Sequence, residues 1–349
     1  MKILVLYEEL APYFINCVNE FADKYNCRIF ILCKGVNAVA PFQFDNIHSN
    51  IEIKNRDEFN EQEIFNVVRS FSPDAVFVGG WLHKPYIKLI KKLKLKNTII
   101  GFDNQWTGSL KQRLGIVYFK VFIKPYIRFA FVPGKKQHLF AKKLGFDESE
   151  ISEGIYCCEY NLFCNYYDKH KKEKEMNFPK RFLYVGRYAK EKAVEDLWNT
   201  FIEWQNEQPN EWELWCLGKG DIEPVTHSKI KHFGFLQSHE MDSIIKDTGV
   251  FILPSTFEPW GVVIHEYSTA GFPLLSADKV GAAGLFIEQG LNGFLFETGN
   301  NKQLKEKMNK FSTLNQKELN DMALYSTKMA AKITPVLWAE RLMKMCKHE

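Results

Sequence analysis

At 349 residues the chain is long enough for two domains. Its 46% apolar and 25% charged residues are those of a globular protein and exclude a disordered one. A net charge of only +4 does not suit a general polyanion-binding role, and no nucleic-acid-binding module accompanies it.

The start carries no expected signal peptide, because the apolar run Lys2 to Leu6 is short and Glu8-Glu9 follows it. No apolar run approaches the ~18 residues of a membrane-crossing helix. The eight cysteines show no C-x-x-C pair, and only Cys157-Cys158 are adjacent. Reduced thiols in the cytoplasm are expected, not a disulfide scaffold or a zinc site.

In chain order, Lys2 to Tyr7 reads as a strand, Phe14 to Tyr25 as a helix and Arg28 to Cys33 as a second strand. Ile51 to Ile53 is a short strand. Phe59 to Phe71 has helical spacing, and Asp74 to Val78 after Ser72-Pro73 is a strand. A helix over Tyr86 to Leu95, a strand over Thr98 to Phe102, a strand over Ala130 to Val132 and a helix over Gln137 to Leu144 complete a doubly wound α/β domain. Asp168 to Glu175 is a charge-dense run without an apolar residue and reads as a solvated linker or loop.

The alternation then restarts. Arg181 to Val185 is a strand, with a helix through Trp204 behind it. Trp212 to Leu217 and Ile230 to Phe233 are strands, and His239 to Lys246 is a helix. Val250 to Leu253 is a strand ending at Pro254, Gly261 to Ala270 a helix stopped by Gly271 and Pro273, and Leu274-Leu275 opens the next strand. Gln303 to Met329 is mostly helical, and Pro335 opens a last helix.

Chemistry is expected at the carboxyl ends of these strands, where parallel sheets seat ligands. Glu258 precedes the Gly261 helix and Glu266 lies inside it. Eight residues of continuous helix would set them ~12 Å and ~80° apart, so the two carboxylates can reach different points of one extended ligand. Between them the backbone N–H groups of Trp260, Gly261 and Val262, at a helix N-terminus, offer an anion seat. Gly186 and Arg187 follow a strand, and Arg187 and Lys192 bring a planar fork of donors and a point charge, both suited to a diphosphate. Sugar hydroxyls, diphosphate and ribose hydroxyls together make a nucleotide sugar.

The run Glu258-Pro259-Trp260-Gly261-Val262-Val263-Ile264-His265-Glu266 resembles the E-x7-E motif of retaining GT-B glycosyltransferases, family four. Leu253-Pro254-Ser255, Ala270-Gly271-Phe272-Pro273 and Gly290-Leu291-Asn292-Gly293 resemble its flanks, and Gly186-Arg187 with Lys192 resembles the family's GR-x4-K element. The resemblance covers the second half of the chain and, more weakly, the topology of the first. It implies a GT-B fold: two doubly wound Rossmann-like domains facing across a cleft. Residues 1–160 would form the acceptor-side domain and 161–334 the nucleotide-sugar domain. A terminal helix over 335–349 would cross back to the first.

The implied activity is transfer of a sugar, with retention, from a nucleoside-diphosphate sugar to a hydroxyl of a glycan or lipid-linked glycan. Arg187 and Lys192 would hold the diphosphate, Glu258 the sugar hydroxyls and Glu266 the ribose. Gly218, in Gly218-Lys219-Gly220, and Phe235 would line the nucleotide pocket, although a plain turn explains each equally well. In Gly101-Phe102-Asp103, Phe102 takes the place of a histidine in relatives. Asp103 would face sugar or acceptor, or else cap the following helix.

Leu285 stands where relatives carry a glutamate after Gly281-Ala282-Ala283-Gly284, and the glycine-rich loop of relatives is replaced by Glu8-Glu9-Leu10-Ala11-Pro12. Trp81 suits either sugar stacking or core packing. No cofactor or metal is expected, since the chain has no Asp-x-Asp. A sugar-nucleotide 2-epimerase and a non-catalytic nucleotide-sugar-binding module are the competing readings.

Lys111 to Lys143 carries nine Lys/Arg and no Asp/Glu, interleaved with Tyr118, Phe119, Phe122, Tyr126 and Phe129, and Lys84 to Lys96 adds six lysines. The region suits either a solvated face over buried aromatics or an anionic membrane surface. The second choice would place the protein peripherally on the inner face of a membrane.

Overall fold

The computed structural model describes residues 1–35, 42, 44, 47–95 and 97–347. They divide into two compact units: Met1–Cys157 with Ile333–Glu349, and Cys158–Lys332. Each unit is a parallel α/β sheet.

The first sheet is built from β1 (Lys2–Leu6), β2 (Arg28–Cys33), β3 (Ile51–Asn55), β4 (Ala75–Gly79), β5 (Thr98–Gly101), β6 (Phe129–Val132) and β7 (Ile151–Glu153). Its order is β3-β2-β1-β4-β5-β6-β7, all parallel. Central strands such as β1, β4 and β6 are near-continuous apolar runs because helices cover both faces. Within this unit Trp338, on the helix Pro335–Lys347, donates from Nε1 to the Ile155 carbonyl at 2.7 Å and lies edge-on to Phe14 and Phe21.

The second sheet consists of β8 (Arg181–Val185), β9 (Glu213–Leu217), β10 (Ile230–Gly234), β11 (Val250–Leu253), β12 (Leu274–Ala277) and β13 (Gly293–Phe296). Its order is β10-β9-β8-β11-β12-β13, again parallel. The winding reverses between β8 and β11, so the loops leaving those two strands are neighbours at the point where such sheets bind ligands.

Asp168 to Glu175 is not a linker: it lies within the 17-residue helix Tyr160–Met176. Phe163, Tyr166 and His170 form its buried face. Lys171 pairs with Asp168 at 2.8 Å, an i,i+3 contact that supports the helix, while Lys174 turns inward over the Phe272 ring, where burial pushes its pKa down to about 7. All eight cysteines are free thiols. Among the described residues no helix is long and apolar enough to cross a membrane.

Candidate functional site

The loop after β8 is drawn tightly against the loop after β9. Gly186 N–H donates to the Leu217 carbonyl at 3.0 Å, and Tyr188 N–H to the Lys219 carbonyl at 3.0 Å. Gly218 N–H donates to the Gly234 carbonyl at 2.7 Å. Gly218 has φ +135°, and a Cβ there would lie 1.9 Å from the Gly186 carbonyl oxygen. The Gly218 turn is therefore a backbone-to-backbone approach that only glycine permits. The Tyr184 hydroxyl donates to the Arg187 carbonyl at 2.9 Å and fixes the start of the loop.

A short turn, Lys190–Lys192, leads into the helix Val194–Glu207. It meets the loop that leaves β11. The Glu191 carbonyl accepts from Thr256 N–H at 2.9 Å, from Phe257 N–H at 3.3 Å and from the Thr256 hydroxyl at 3.2 Å. Lys192 Nζ is ion-paired with Glu258 Oε2, and both side chains are mostly buried, at 16% and 14% exposure. Arg187 is 61% exposed and pairs with Glu191 at 3.0 Å. Thus Lys192 and Glu258, read from separate motifs, meet at the β8/β11 switch point, and Arg187 stands on the same loop as Lys192, paired with Glu191.

The other side of the Glu258 loop is held by the segment after β12. Gly281 N–H donates to the Glu258 carbonyl at 3.1 Å and Ala282 N–H to the Trp260 carbonyl at 2.8 Å. A Cβ on Gly281 would come within 2.0 Å of the Pro259 carbonyl oxygen. Gly261 has φ +88° and caps the helix Val262–Thr269; its carbonyl accepts from Ile264 N–H at 3.0 Å, and Val262 N–H, at the first helical position, has no i−4 acceptor within the helix. A Cβ on Gly261 would touch Glu258 Cγ at 3.0 Å. The Trp260 indole is buried edge-on to Phe286, so what Trp260 adds to the loop surface is backbone. Phe235, half-buried, follows Gly234 at the end of β10.

Glu266 keeps a partial opening to solvent, yet burial pushes its carboxyl pKa up to about 8, and the Glu159 charge adds to the rise. Glu159 is itself raised by burial, while the Ser238 hydroxyl hydrogen-bonds to it. The folded state therefore holds the Glu266 proton more tightly than an unfolded chain with the ordinary 4.5 does. Its contribution to stability falls as pH rises from about 4.5 to about 8. Glu266→Gln removes that penalty. The variant is expected to melt higher than wild type at pH 9, by on the order of 2 kcal/mol after allowing for solvent screening, and to match it near pH 5. Equal melting differences at both pH values would contradict the raised pKa.

Asp103 belongs to the first unit, just beyond β5. Its Oδ2 accepts from the Tyr156 hydroxyl at 3.4 Å, and its carbonyl accepts from Gln137 Nε2 at 3.1 Å. It does not cap the helix Leu110–Phe122: Ser109 Oγ does, accepting from Gln112 N–H at 3.3 Å. Phe102 is core, and Trp81, partly buried, packs edge-on to Phe102 and Phe119 with centroids at 5.3 and 5.1 Å, against the core of this unit.

The sequence reading did not single out Glu191 or Glu159, nor the close backbone approach that Gly281 permits. Beyond its carboxylate pair with Arg187, Glu191 acts through its carbonyl, for which side-chain identity carries no signal. Glu159 lies far from Glu266 in the chain.

Residues 167–329 match the family Glycosyl transferases group 1. The chain is 31% identical over 124 residues to alpha-monoglucosyldiacylglycerol synthase of Acholeplasma laidlawii, a match covering 33% of this chain and 30% of that protein. It is 27% identical over 138 residues to lipopolysaccharide 1,6-galactosyltransferase of Salmonella typhimurium, covering 36% and 37%. The chain thus spans about a third of the length of these curated relatives. Among solved structures, Anabaena HepE in complex with UDP and glucose superposes with a TM-score of 0.71 at 14% identity, over 99% of this chain and 98% of that one. Residues 167–329 are thus similar to the glycosyl transferases group 1 family, and the two parallel-sheet units have the fold of GT-B glycosyltransferases.

Proposed function

We propose that the protein is a retaining glycosyltransferase that moves a sugar from a nucleoside-diphosphate sugar to a hydroxyl of a glycan or lipid-linked glycan. The observation that carries this reading is the meeting of Lys192 and Glu258 at the β8/β11 switch point, with Arg187 on the same loop as Lys192. The UDP and glucose in the Anabaena structure support a nucleotide-sugar donor.

In this reading Arg187 and Lys192 neutralise the departing diphosphate, aided by the N-terminus of the helix Val262–Thr269. Lys192 has three N–H donors, so one ammonium serves both Glu258 and a phosphate oxygen. Glu258 accepts from sugar hydroxyls, and Glu266 accepts from the ribose. Gly186, Gly218 and Phe235 line the nucleotide side. Among the described residues Ser255 Oγ, on the loop that leads to Glu258, is buried without a hydrogen-bond partner, which is common where a ligand completes a site. Free thiols throughout suit a reducing cytoplasm.

The charge a metal would neutralise is supplied by these cations, so transfer is expected to be metal-independent. The test is a panel of nucleotide sugars screened by thermal shift, followed by transfer assays with and without excess EDTA. Donor-dependent transfer that survives EDTA is expected. Loss in EDTA restored by Mg²⁺ or Mn²⁺ would overturn the metal-free diphosphate site. Conversion of the donor without acceptor would point to an epimerase, and binding without turnover to a binding module.

A further inference from the structure

Lys174, on the helix Tyr160–Met176 of the second unit, is half-buried, with Nζ 4.0 Å from the centre of the Phe272 ring. It lines a small pocket with Tyr167, Phe178, Ala270, Gly271 and Ala323. Among the described residues, which leave out Lys96, its Nζ has neither an ion pair nor a hydrogen bond. Several other lysines that lie over a ring have an acid at hand. Lys171 pairs with Asp168, Lys24 with Glu340, Lys124 with Glu150 and Lys231 with Glu213.

The charges around this pocket are committed elsewhere or absent. On the same helix His170 pairs with Asp242 at 2.9 Å and Glu173 with Lys246 at 3.2 Å. Glu175 stands exposed at the rim, where its carbonyl accepts from Asn320 Nδ2 at 3.1 Å. Tyr166 and Tyr167 keep their hydroxyl protons, since burial raises both. The segment Ala270–Phe272, and Asn320 and Ala323 on the helix Gln316–Ala330, bring no charge. Asp247, at the end of the helix Asp242–Asp247, favours the ammonium, but burial outweighs it. About half of the side chain is therefore the free amine near pH 7, where an ordinary lysine is ammonium. A free amine is a nucleophile, and apolar walls accept a neutral product more readily than a charged one.

We propose that Lys174 is an acylation site that takes its acyl group from an acyl phosphate. The Nζ lone pair attacks the acyl carbon, and the bond from that carbon to the phosphate oxygen breaks. Phosphate leaves with the bonding pair and takes the surplus proton from Nζ, so the products are an amide and inorganic phosphate. The amide carries no charge and escapes the desolvation cost that the ammonium bears over Phe272. Carbon dioxide would instead give a carbamate anion, which the same walls disfavour. The inference is independent of the sugar-transfer reading.

The test is brief treatment of the full chain with limiting acetyl phosphate at about pH 7.5, followed by proteolysis and mass spectrometry. Lys174 should be acetylated about tenfold faster than Lys172, an exposed lysine of the same helix. That advantage should shrink as pH rises toward 10.5, the ordinary lysine value. Lys174→Gln, neutral like the amide, gives a second readout. The folded state holds the Lys174 proton less tightly than the unfolded chain does. The ammonium therefore costs stability in full below about 7 and not at all above 10.5. The variant should melt higher than wild type at pH 6, and the difference should narrow as pH rises to 9 and 10. Acetylation of Lys174 no faster than that of Lys172 overturns the proposal. So does a Lys174→Gln melting difference that does not change with pH.

Discussion

Lys192→Ala and Arg187→Ala are each expected to lower sugar transfer ~100-fold, the ~3 kcal/mol carried by one charge-assisted stabiliser of a leaving group. The two should differ in stability. Arg187 is largely exposed, and its pair with Glu191 is a surface i,i+4 contact. Its loss should leave the melting temperature nearly unchanged. Lys192 is mostly buried with Glu258, so Lys192→Ala leaves a half-buried carboxylate without its cation. That variant should also lose stability, and adding Glu258→Gln should recover part of the loss without restoring transfer. The measurements are steady-state transfer and thermal melting of the two single variants and the Lys192/Glu258 double. An Arg187→Ala enzyme within about threefold of wild type would remove Arg187 from the diphosphate site. A Lys192→Ala enzyme that melts like wild type would show that the pair with Glu258 is energetically silent.

Gly218→Ala should destabilise the second unit by roughly 3 kcal/mol or more, through overpacking and an unfavourable φ. At φ +135° its Cβ would lie 1.9 Å from the Gly186 carbonyl oxygen and 2.9 Å from the Gly186 carbonyl carbon. Both are backbone atoms, so no side chain can swing aside. The strands must part or the loop carrying Arg187 must shift, and nucleotide affinity should fall with stability. Gly284→Ala is the internal control, because nothing lies within 4 Å of its Cβ and its φ is ordinary. It should stay within about 0.5 kcal/mol of wild type. Similar melting temperatures for the two variants would mean that Gly218 tolerates a side chain and that the Gly186–Gly218 approach is not built as described.

Glu266 gives a further contrast with the same assays. In the proposed role, Glu266→Gln should weaken free nucleoside diphosphate while raising stability at high pH, two effects of opposite sign from one carboxyl. Unchanged nucleoside-diphosphate affinity would remove the ribose role and leave the pH effect standing.

Much of this was present in the chain itself. Several strands are apolar runs ended by glycine or proline, as at Val250–Leu253 before Pro254, and local patterning is enough to mark those, whereas Ile151–Glu153 and Gly293–Phe296 are not read as strands from the sequence. The spacing from Glu258 to Glu266 and from Gly186 to Lys192 is likewise a local property. Four things were decided only by tertiary structure. Lys192 finds Glu258 across 66 residues because the order β10-β9-β8-β11-β12-β13 puts their loops side by side, a pairing no local pattern encodes. The charged run from Asp168 is helical because Phe163, Tyr166 and His170, outside or between the charges, bury one face. The Glu266 carboxyl is pushed up to about 8 by surroundings that come from distant segments, Glu159 among them. The aromatic, basic stretch from Lys111 divides into one buried ring, Phe119, and an outward apolar row, because burial depends on what lies opposite a side chain and not on the side chain alone.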